Sequence, residues 1–355
     1  MKILYVNACY YPVNGGVEEY VKSVAERMAT KHDVTVFAGD ISGRLPKFET
    51  INGVTIRRFK SYAPGDSFYF SLEMARELRK VNHDIVHAFN YHALPAYFAQ
   101  NAKRFLITPC YHGQGHTGLT NYLLKLYRPL GSSMLRKAAM IIANSVYEKG
   151  ILERDFGLPV IVIPCGLNLT EFQGSASKNS FQVLSVGRLE EYKGMQYVIS
   201  AMPYLPDYGL QIVGKGSYKP ELLALVKKLG LSKKVTFYQD LPRHELLRMY
   251  AQAGIFILLS KLESYAITVA EALASHTICI VAESTALSEW VDNINCFGVN
   301  YPIQSEQVAE LIKRHSGRIT KHPDIWDWDM TAQRLEELYR RVNVRERSGI
   351  GNALV

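Results

Sequence analysis

Short apolar segments alternate with helical segments along almost the whole chain, and the alternation begins again after a linker at 168–180. In the first series, KILYVNA (2–8) predicts a strand and VEEYVKSVAERMATK (17–31) an amphipathic helix. In the second, FQVLSVG (181–187) and GIFILLS (254–260) predict strands. Strands that alternate with helices form parallel sheets covered on both faces. The sequence therefore predicts two successive doubly wound α/β domains.

Length and composition agree with this organisation. At 355 residues the chain exceeds what one ordinary core supports. Its hydrophobic content of 48% and charged content of 21% are typical of a globular protein. No apolar run reaches the roughly 20 residues of a membrane span. The N-terminal stretch MKILYVNACYYP lacks a cleavage pattern, so we expect a first strand there rather than a signal peptide.

The cysteines and the net charge limit the function classes. The five cysteines are scattered and form no CxxC pair, which indicates reduced thiols in the cytoplasm and neither a zinc site nor a disulfide framework. The net charge of +8 suggests an anionic partner: a phosphorylated small molecule, an anionic lipid or a nucleic acid. Without a long Lys/Arg block, nucleic acid is the least favoured of the three.

A glycine-rich loop joins the first predicted strand to the first helix in PVNGGVEEY (12–20). Gly15 and Gly16 would let a phosphate approach backbone amides at the helix N-terminus, although a simple connecting turn fits equally. Asp40, at the end of the second strand, also raises the possibility of NAD binding. The G-x-G-x-x-G pattern is absent, however, which argues against a dinucleotide.

Two cations follow the first strand of the second domain in SVGRLEEYKGM (185–195). Arg188 can bind a phosphate with two hydrogen bonds, and Lys193 adds a mobile point charge. Solvated surface cations are the alternative. Their position favours phosphate, because doubly wound sheets bind ligands at the carboxyl ends of their strands.

Histidines occupy three different contexts in the first domain. His112 follows a buried-looking strand in LITPCYHGQGHTG and precedes three glycines, so we expect it in a loop that faces a ligand. His87 lies within a predicted strand, and we interpret it as a hydrogen-bonded core residue. His116 is expected to be exposed.

Two glutamates stand in a mostly small and apolar segment, KLESYAITVAEAL (261–273). Glu263 lies in the loop after a strand, and Glu271 lies in a helix that is apolar all round and therefore buried. A buried carboxylate needs a hydrogen-bond partner. For Glu271, either the ribose of a nucleotide or a group of the protein could be that partner.

In order along the chain, these motifs resemble the retaining glycosyltransferases of family 4, which have the GT-B fold of two Rossmann-like domains facing a cleft. The resemblance spans nearly the whole chain. The segments are NGG-x-E from Asn14, HGQ, IPCGLNLTEF, VGRLEEYKG, VGKGSYKPEL, VTFYQDL, SKLESYAITVAEALA and WDWDMTAQRLEELY.

The resemblance implies a nucleotide-sugar donor, UDP- or GDP-linked, bound without a metal or other cofactor. Arg188 and Lys193 would bind its diphosphate, Glu271 its ribose. Glu263 and His112 would act at the sugar as catalytic residues. Further donor-binding residues would be Gly15, Gly16, Gly214, Leu241, Ser264, Tyr265, Ala266, Ile267 and Thr268.

The same resemblance assigns residues 1–167 to an acceptor-side domain and 168–330 to the donor-binding domain. A last helix, at about 331–345, would pack back on the first domain. The acceptor would be a glycan, a lipid-linked oligosaccharide or a glycoprotein. The basic, leucine-rich stretch 119–140 suits peripheral contact with an anionic membrane at the cytoplasmic face, although an ordinary domain helix is the alternative.

This chain departs from the family pattern around the donor. Residues with a side chain stand where the family has glycine: Ser264, Ala266, His276, Thr285 and Ala286. Ile278 replaces a proline. Because a positive φ is costly for residues other than glycine, these changes keep open a non-catalytic nucleotide-sugar or glycan-binding protein. A sugar-nucleotide 2-epimerase, an enzyme class that shares the fold and the donor, is a further alternative.

Overall fold

The computed structural model describes residues 1–13, 15–63, 69–172, 177–321 and 324–347. Asn14 of the NGG motif lies outside these residues. The chain divides into two compact units. Unit 1 comprises Met1–Gly166 together with the C-terminal segment that starts at Trp326, and unit 2 is Leu167–Ile325.

Unit 1 contains an eight-stranded sheet with the order β3-β4-β2-β1-β5-β6-β7-β8. Only the β3–β4 pairing is antiparallel among these strands. The strands are β1 Lys2–Asn7, β2 Asp33–Asp40, β3 Phe48–Ile51, β4 Val54–Lys60, β5 Ile85–Phe89, β6 Phe105–Thr108, β7 Met140–Ala143 and β8 Val160–Val162. The helices between them are α1 Gly16–Ala29, α2 Leu72–Leu78, α3 Leu94–Ala99, α4 Gly118–Lys137 and α5 Val146–Phe156.

Unit 2 contains a six-stranded, fully parallel sheet with the order β11-β10-β9-β12-β13-β14. Its strands are β9 Asn179–Val186, β10 Gly209–Val213, β11 Val235–Tyr238, β12 Ala253–Leu258, β13 Cys279–Ala282 and β14 Cys296–Val299. Its helices are α6 Met195–Ala201, α7 Lys219–Lys228, α8 Arg243–Gln252, α9 Ile267–Ala274 and α10 Ser305–His315.

The last helix, α11 (Trp328–Arg347), packs against α1 within unit 1. The Trp328 ring meets Tyr20 edge-on at 5.5 Å, and the Thr331 hydroxyl donates to the Pro164 carbonyl oxygen at 2.9 Å. A side chain at Gly166 would collide with the backbone of Asp327, since its Cβ would lie 2.4 Å from that carbonyl carbon. The glycine thus permits the close approach at the start of α11.

The two doubly wound sheets confirm the predicted α/β organisation. Central strands such as β12 are buried along their whole length, as expected for parallel strands covered on both faces. Three elements were not predicted: β3, β14 and α10. Among the described residues, no helix combines the length and the apolar character needed to cross a bilayer.

Candidate active site

The order of the unit 2 sheet places a topological switch point between β9 and β12, at the centre of its carboxyl edge. From β9 the chain proceeds outward through β10 and β11, and then returns to β12 on the other side of β9. Doubly wound sheets bind their ligands in the crevice at such a switch point. The loops that follow Val186 of β9 and Leu258 of β12 contain most of the predicted donor-binding residues.

Lys193 and Glu263 meet across this crevice. Lys193 lies on a short 3-10 helix after β9, and its Nζ is 2.5 Å from Oε1 of Glu263 in the loop after β12. The two side chains are 15% and 11% exposed. Burial lowers the pKa of Lys193, but the charge of Glu263, the nearby Tyr192 and the hydrogen bond to Glu263 together outweigh it, and the pKa is raised overall. Lys193 is therefore charged at neutral pH, and little of either side chain is exposed to water.

A second cation lies beside this pair. Arg188 is exposed, and one of its terminal nitrogens is 2.5 Å from the Tyr192 hydroxyl. The Tyr192 ring also lies 5.4 Å from the Lys193 ammonium. Tyr192 thus contacts both predicted phosphate-binding cations. It was not predicted, although its position between them in RLEEYK was visible in the sequence.

Glycine brings the two loops together. Gly194 has φ +75°, and a Cβ there would lie 2.0 Å from the Leu259 carbonyl oxygen. The amide of Lys261 donates to the Tyr192 carbonyl oxygen at 2.7 Å. The loop after β9 is thereby fixed to the loop after β12 close to the Lys193–Glu263 pair.

The predicted residues 264–268 form the entry to α9. Ala266 is its N-cap in the left-handed conformation, and the helix starts at Ile267. The first amides of a helix, such as that of Thr268, have no acceptor within the helix and attract anions. Ser264 and Tyr265 precede the N-cap. Ser264 is half-buried, and the Tyr265 carbonyl oxygen accepts the Trp290 indole N–H at 2.8 Å.

Glu271, one turn into α9, has protein partners on both carboxylate oxygens. Its Oε1 is bonded to the Arg243 guanidinium, and its Oε2 accepts the Tyr250 hydroxyl at 2.9 Å. Burial, then the Glu271 charge, raises the pKa of Tyr250 well above its ordinary value. Both partners are groups of the protein, which is one of the two possibilities that the sequence left open for Glu271. A carboxylate accepts about four hydrogen bonds, so capacity for ribose hydroxyls remains.

Arg243 and Tyr250 were not predicted. Both belong to α8, and their separation of seven residues places them on one face of that helix. Arg243 also donates to Glu171 at 2.9 Å, which joins the start of unit 2 to α9. The spacing was present in the sequence, but the choice of Glu271 as partner depends on how α8 packs on α9.

The residues predicted near the base lie after β10 and β11. Gly214 has φ +155°, and a Cβ there would lie 1.8 Å from the Gly187 carbonyl oxygen, so the position excludes a side chain. Leu241 packs against the apolar cluster beneath the sheet edge and is partly exposed. Next to it, Asp240 pairs with Lys215 at 3.0 Å on the surface.

Unit 1 holds the remaining predicted residues. Gly15 precedes α1, which starts at Gly16, and a Cβ on Gly15 would lie 2.2 Å from a carboxylate oxygen of Glu18. Half-buried His112 follows Tyr111, whose amide donates to the buried Glu148 at 2.7 Å. Because Gly15 follows β1 and His112 follows β6, both loops lie at the carboxyl edge of the unit 1 sheet.

His87 confirms the core interpretation. It is fully buried, its Nδ1 is 2.6 Å from the Tyr339 hydroxyl of α11, and its Nε2 is 2.9 Å from the Thr108 hydroxyl. Burial lowers its pKa to about 3, so the imidazole is neutral at physiological pH.

Three of the five glycine replacements keep a glycine-like backbone. Ala266, His276 and Thr285 have φ of +73°, +57° and +54°. Ser264 and Ala286 lie outside this region. The fold therefore preserves the left-handed conformation at these three positions, at a cost of roughly 1–3 kcal/mol each.

Comparison with known proteins matches both halves of the chain. Residues 14–171 match the family described as Glycosyltransferase Family 4, and residues 168–316 match Glycosyl transferases group 1. The chain belongs to the family 4 type of glycosyltransferase. The two family matches together extend over both units, as the order of the motifs predicted. They identify the chain as an enzyme of the glycosyl-transferring class.

Relatives and solved structures agree with this glycosyltransferase assignment. The chain is 26% identical to an uncharacterized glycosyltransferase of Methanocaldococcus jannaschii, over 88% of each protein. It is 25% identical to the GDP-mannose:cellobiosyl-diphosphopolyprenol alpha-mannosyltransferase of Xanthomonas oryzae pv. oryzae, over 80% of this chain and 79% of that protein. Anabaena HepE, solved in complex with UDP and glucose, superposes with a TM-score of 0.76 at 18% identity, over 96% and 99% of the two chains. This likeness confirms the predicted GT-B fold.

Proposed function

We propose that this glycosyltransferase moves a sugar from a UDP- or GDP-linked donor, with retention of configuration and without a metal. The observation that supports this most directly is the largely buried Lys193–Glu263 pair at the switch point of unit 2. Arg188 and the N-terminus of α9 lie on the loops beside it. Positive groups that would bind the diphosphate thus lie beside a carboxylate that would face the sugar.

The proposed chemistry is electrostatic. As the bond between the anomeric carbon and the diphosphate breaks, negative charge grows on the leaving group, and Arg188, Lys193 and the first amides of α9 stabilise it. Glu263 orients the sugar as its ring gains oxocarbenium character. The acceptor hydroxyl then attacks from the leaving-group face, which retains the configuration, and its proton passes to the departing diphosphate.

Three donor contacts rest on different support. Glu271 binds the ribose through the carboxylate capacity that Arg243 and Tyr250 leave unused. For Gly16 and His112 of unit 1, the motif resemblance alone supports a donor contact. Because similar proteins include a GDP-mannose-dependent mannosyltransferase and a protein solved with UDP, UDP- and GDP-sugars are the first donors to test.

A lipid-linked acceptor is favoured by the surface of α4. This helix exposes a single apolar stripe with helical spacing, while its other side is buried in unit 1. The stripe consists of Leu119, Tyr122, Leu123, Leu126 and Leu130. The helix contains no acidic residue and exposes Lys125, Arg136 and Lys137. We propose that this face docks on an anionic bilayer, because apolar side chains enter the membrane interface and neighbouring positive charges attract anionic lipids.

Vesicle co-sedimentation tests this surface. The protein should pellet with phosphatidylcholine vesicles that contain phosphatidylglycerol, and less of it should pellet with phosphatidylcholine alone. The double variant Leu119→Ser/Leu126→Ser should pellet less than the unaltered protein with the phosphatidylglycerol vesicles. Leu223→Ser, at a 47% exposed leucine of α7, is the matched control and should pellet like the unaltered protein. Equal pelleting of all variants, or a stripe that instead mediates dimerisation in sedimentation velocity, would refute membrane docking.

A donor screen tests the catalytic proposal. Each UDP- and GDP-sugar is scored first by thermal shift and then by mass spectrometry of the products, with and without EDTA. We expect one donor to be hydrolysed slowly without acceptor, insensitively to EDTA, and hydrolysis to be lost in Glu263→Ala and Arg188→Ala. Arg248→Ala, at an exposed arginine of α8, is the control.

The same screen separates the alternatives. Conversion of a UDP-sugar to its epimer without an acceptor would identify a 2-epimerase. Binding of a donor without any product would identify a non-catalytic binding protein. If no donor binds at millimolar concentration, the proposed function is wrong.

A further inference from the structure

Thr285 has an unusual backbone for its residue type. It follows β13, at a position where the family pattern has glycine, and its φ is +54°. A β-branched residue in the left-handed region is an outlier, because its side chain crowds the backbone. Such a conformation persists only where the surrounding structure enforces it, and it is concentrated at functional sites. A glycine would adopt it without strain.

The side chain of Thr285 makes a contact that glycine cannot make. Its hydroxyl oxygen accepts the backbone N–H of Glu263 at 3.1 Å. The amide of the next residue, Ala286, donates to the Glu263 carbonyl oxygen at 3.4 Å. Both backbone polar groups of Glu263 are thereby held by two consecutive residues of the loop after β13.

The loop itself is fixed on both sides of Thr285. The Ser284 hydroxyl donates to the Ser260 carbonyl oxygen at 3.2 Å, which ties this loop to the start of the loop after β12. The Ser288 hydroxyl donates to the Thr285 carbonyl oxygen at 2.7 Å. Thr285 therefore links the Glu263 backbone to a loop that is itself held in place by hydrogen bonds.

We propose that Thr285 is a positioning residue: its hydroxyl holds the Glu263 backbone so that the carboxylate stays on Lys193 and faces the donor sugar. This inference rests on the proposed function of Glu263. Displacement of a reacting group by about 1 Å can lower a rate by about 100-fold. A loosened Glu263 should therefore lower turnover, while Arg188 and Glu271, which contact other parts of the donor, continue to bind it.

Three substitutions test the role of the hydroxyl. Thr285→Ser keeps the hydroxyl and should retain kcat within about twofold. Thr285→Gly removes both the hydroxyl and the strain, so it should lower kcat about 10-fold or more with donor KM nearly unchanged, while Tm stays the same or rises by about 2 °C. Thr285→Val keeps the branched shape without the hydroxyl and should lower kcat and Tm together.

His276→Gly is the matched control. His276 also has a positive φ, +57°, but it is exposed and follows the C-terminal end of α9. Its replacement, like Thr285→Gly, should leave Tm the same or raise it slightly, but with kcat unchanged. A fall in kcat without a fall in Tm at position 285 alone would separate positioning from a merely structural role.

The outcomes distinguish this inference from the proposed function. If the unaltered enzyme requires Glu263 but Thr285→Gly has the same kcat, Thr285 does not position Glu263. Loss of kcat in Thr285→Ser equal to that in Thr285→Gly would likewise overturn the role of the hydroxyl. If the unaltered protein turns over no donor, the proposed function itself has failed.

Discussion

Lys193 and Glu263 form an ion pair of 2.5 Å between loops that leave two adjacent parallel strands. Both side chains are largely shielded from water, so each charge depends on the other. Breaking such a pair from one side leaves an uncompensated charge, which costs more than the intact pair contributes. The pair thus fixes the crevice in which the proposed reaction takes place.

Lys193→Met should therefore affect both stability and turnover. We expect the free energy of unfolding to fall by about 3 kcal/mol, because Glu263 remains without its partner. Donor turnover per folded molecule should fall about 100-fold or more, because one cation at the leaving group is lost. Urea unfolding and single-donor hydrolysis measure the two effects.

The exposed pair of Lys215 and Asp240 is the control for this substitution. Their side chains are 71% and 62% exposed, so Lys215→Met should change stability by less than about 0.5 kcal/mol. Equal destabilisation by the two substitutions would contradict the importance of burial at Lys193.

Tyr250→Phe tests how Glu271 is held. The hydroxyl of Tyr250 donates to a carboxylate, a hydrogen bond worth about 2 kcal/mol, and the free energy of unfolding should fall by that amount. If Glu271 binds the ribose, its looser carboxylate should also raise donor KM several-fold with little change in kcat. Calorimetry and donor titration measure these effects. Tyr204→Phe, which removes an exposed hydrogen bond to Glu306, should do neither.

The fold was predictable because parallel strands buried on both faces appear as nearly continuous apolar runs. GIFILLS, which includes all of β12 except its first residue, is an example. The short strand β14 was missed because CFGV has four residues and an internal glycine. Helix α10 was also missed, although Val308, Ala309 and Ile312 repeat with helical spacing and are buried. That signal was present and could have been used.

Part of the candidate site was also predictable. Positions just after strand ends predict which side chains lie at the carboxyl edge of the sheet, so Arg188, Lys193 and Glu263 were proposed from sequence, and their roles toward a donor stay predictions. The contacts of Glu271 with Arg243 and Tyr250 were not, because they depend on the packing of α8 against α9. Side-chain partners across two helices are set by tertiary structure rather than by local spacing.

Ala266→Gly should stabilise the chain. Ala266 has φ +73°, a conformation that costs alanine roughly 1–3 kcal/mol. Glycine adopts it freely but loses about 0.5–1 kcal/mol in chain entropy, so we expect a net gain of about 1 kcal/mol in urea unfolding. Ala270→Gly, in the buried interior of α9, should instead lose about 1 kcal/mol. A loss at both positions would refute the left-handed conformation of Ala266.

His87 should make the stability of the protein depend on pH in mildly acidic solution. Burial lowers its folded-state pKa to about 3, whereas the unfolded imidazole has a pKa of about 6.5. Above about pH 6.5 both states are neutral and the full contribution is present. Below it, the unfolded chain binds a proton that the folded chain excludes, so stability falls by about 1.4 kcal/mol per pH unit until about pH 3.

His87→Gln removes this titration. Between pH 7 and pH 5, the unaltered protein should lose about 2 kcal/mol more of its free energy of unfolding than the variant does, as measured by urea unfolding at each pH. His244→Gln, at an exposed histidine of α8, should keep the pH dependence of the unaltered protein. If His87→Gln keeps it as well, a charged imidazole must be tolerated between Tyr339 and Thr108, and the pH sensitivity must arise at other groups.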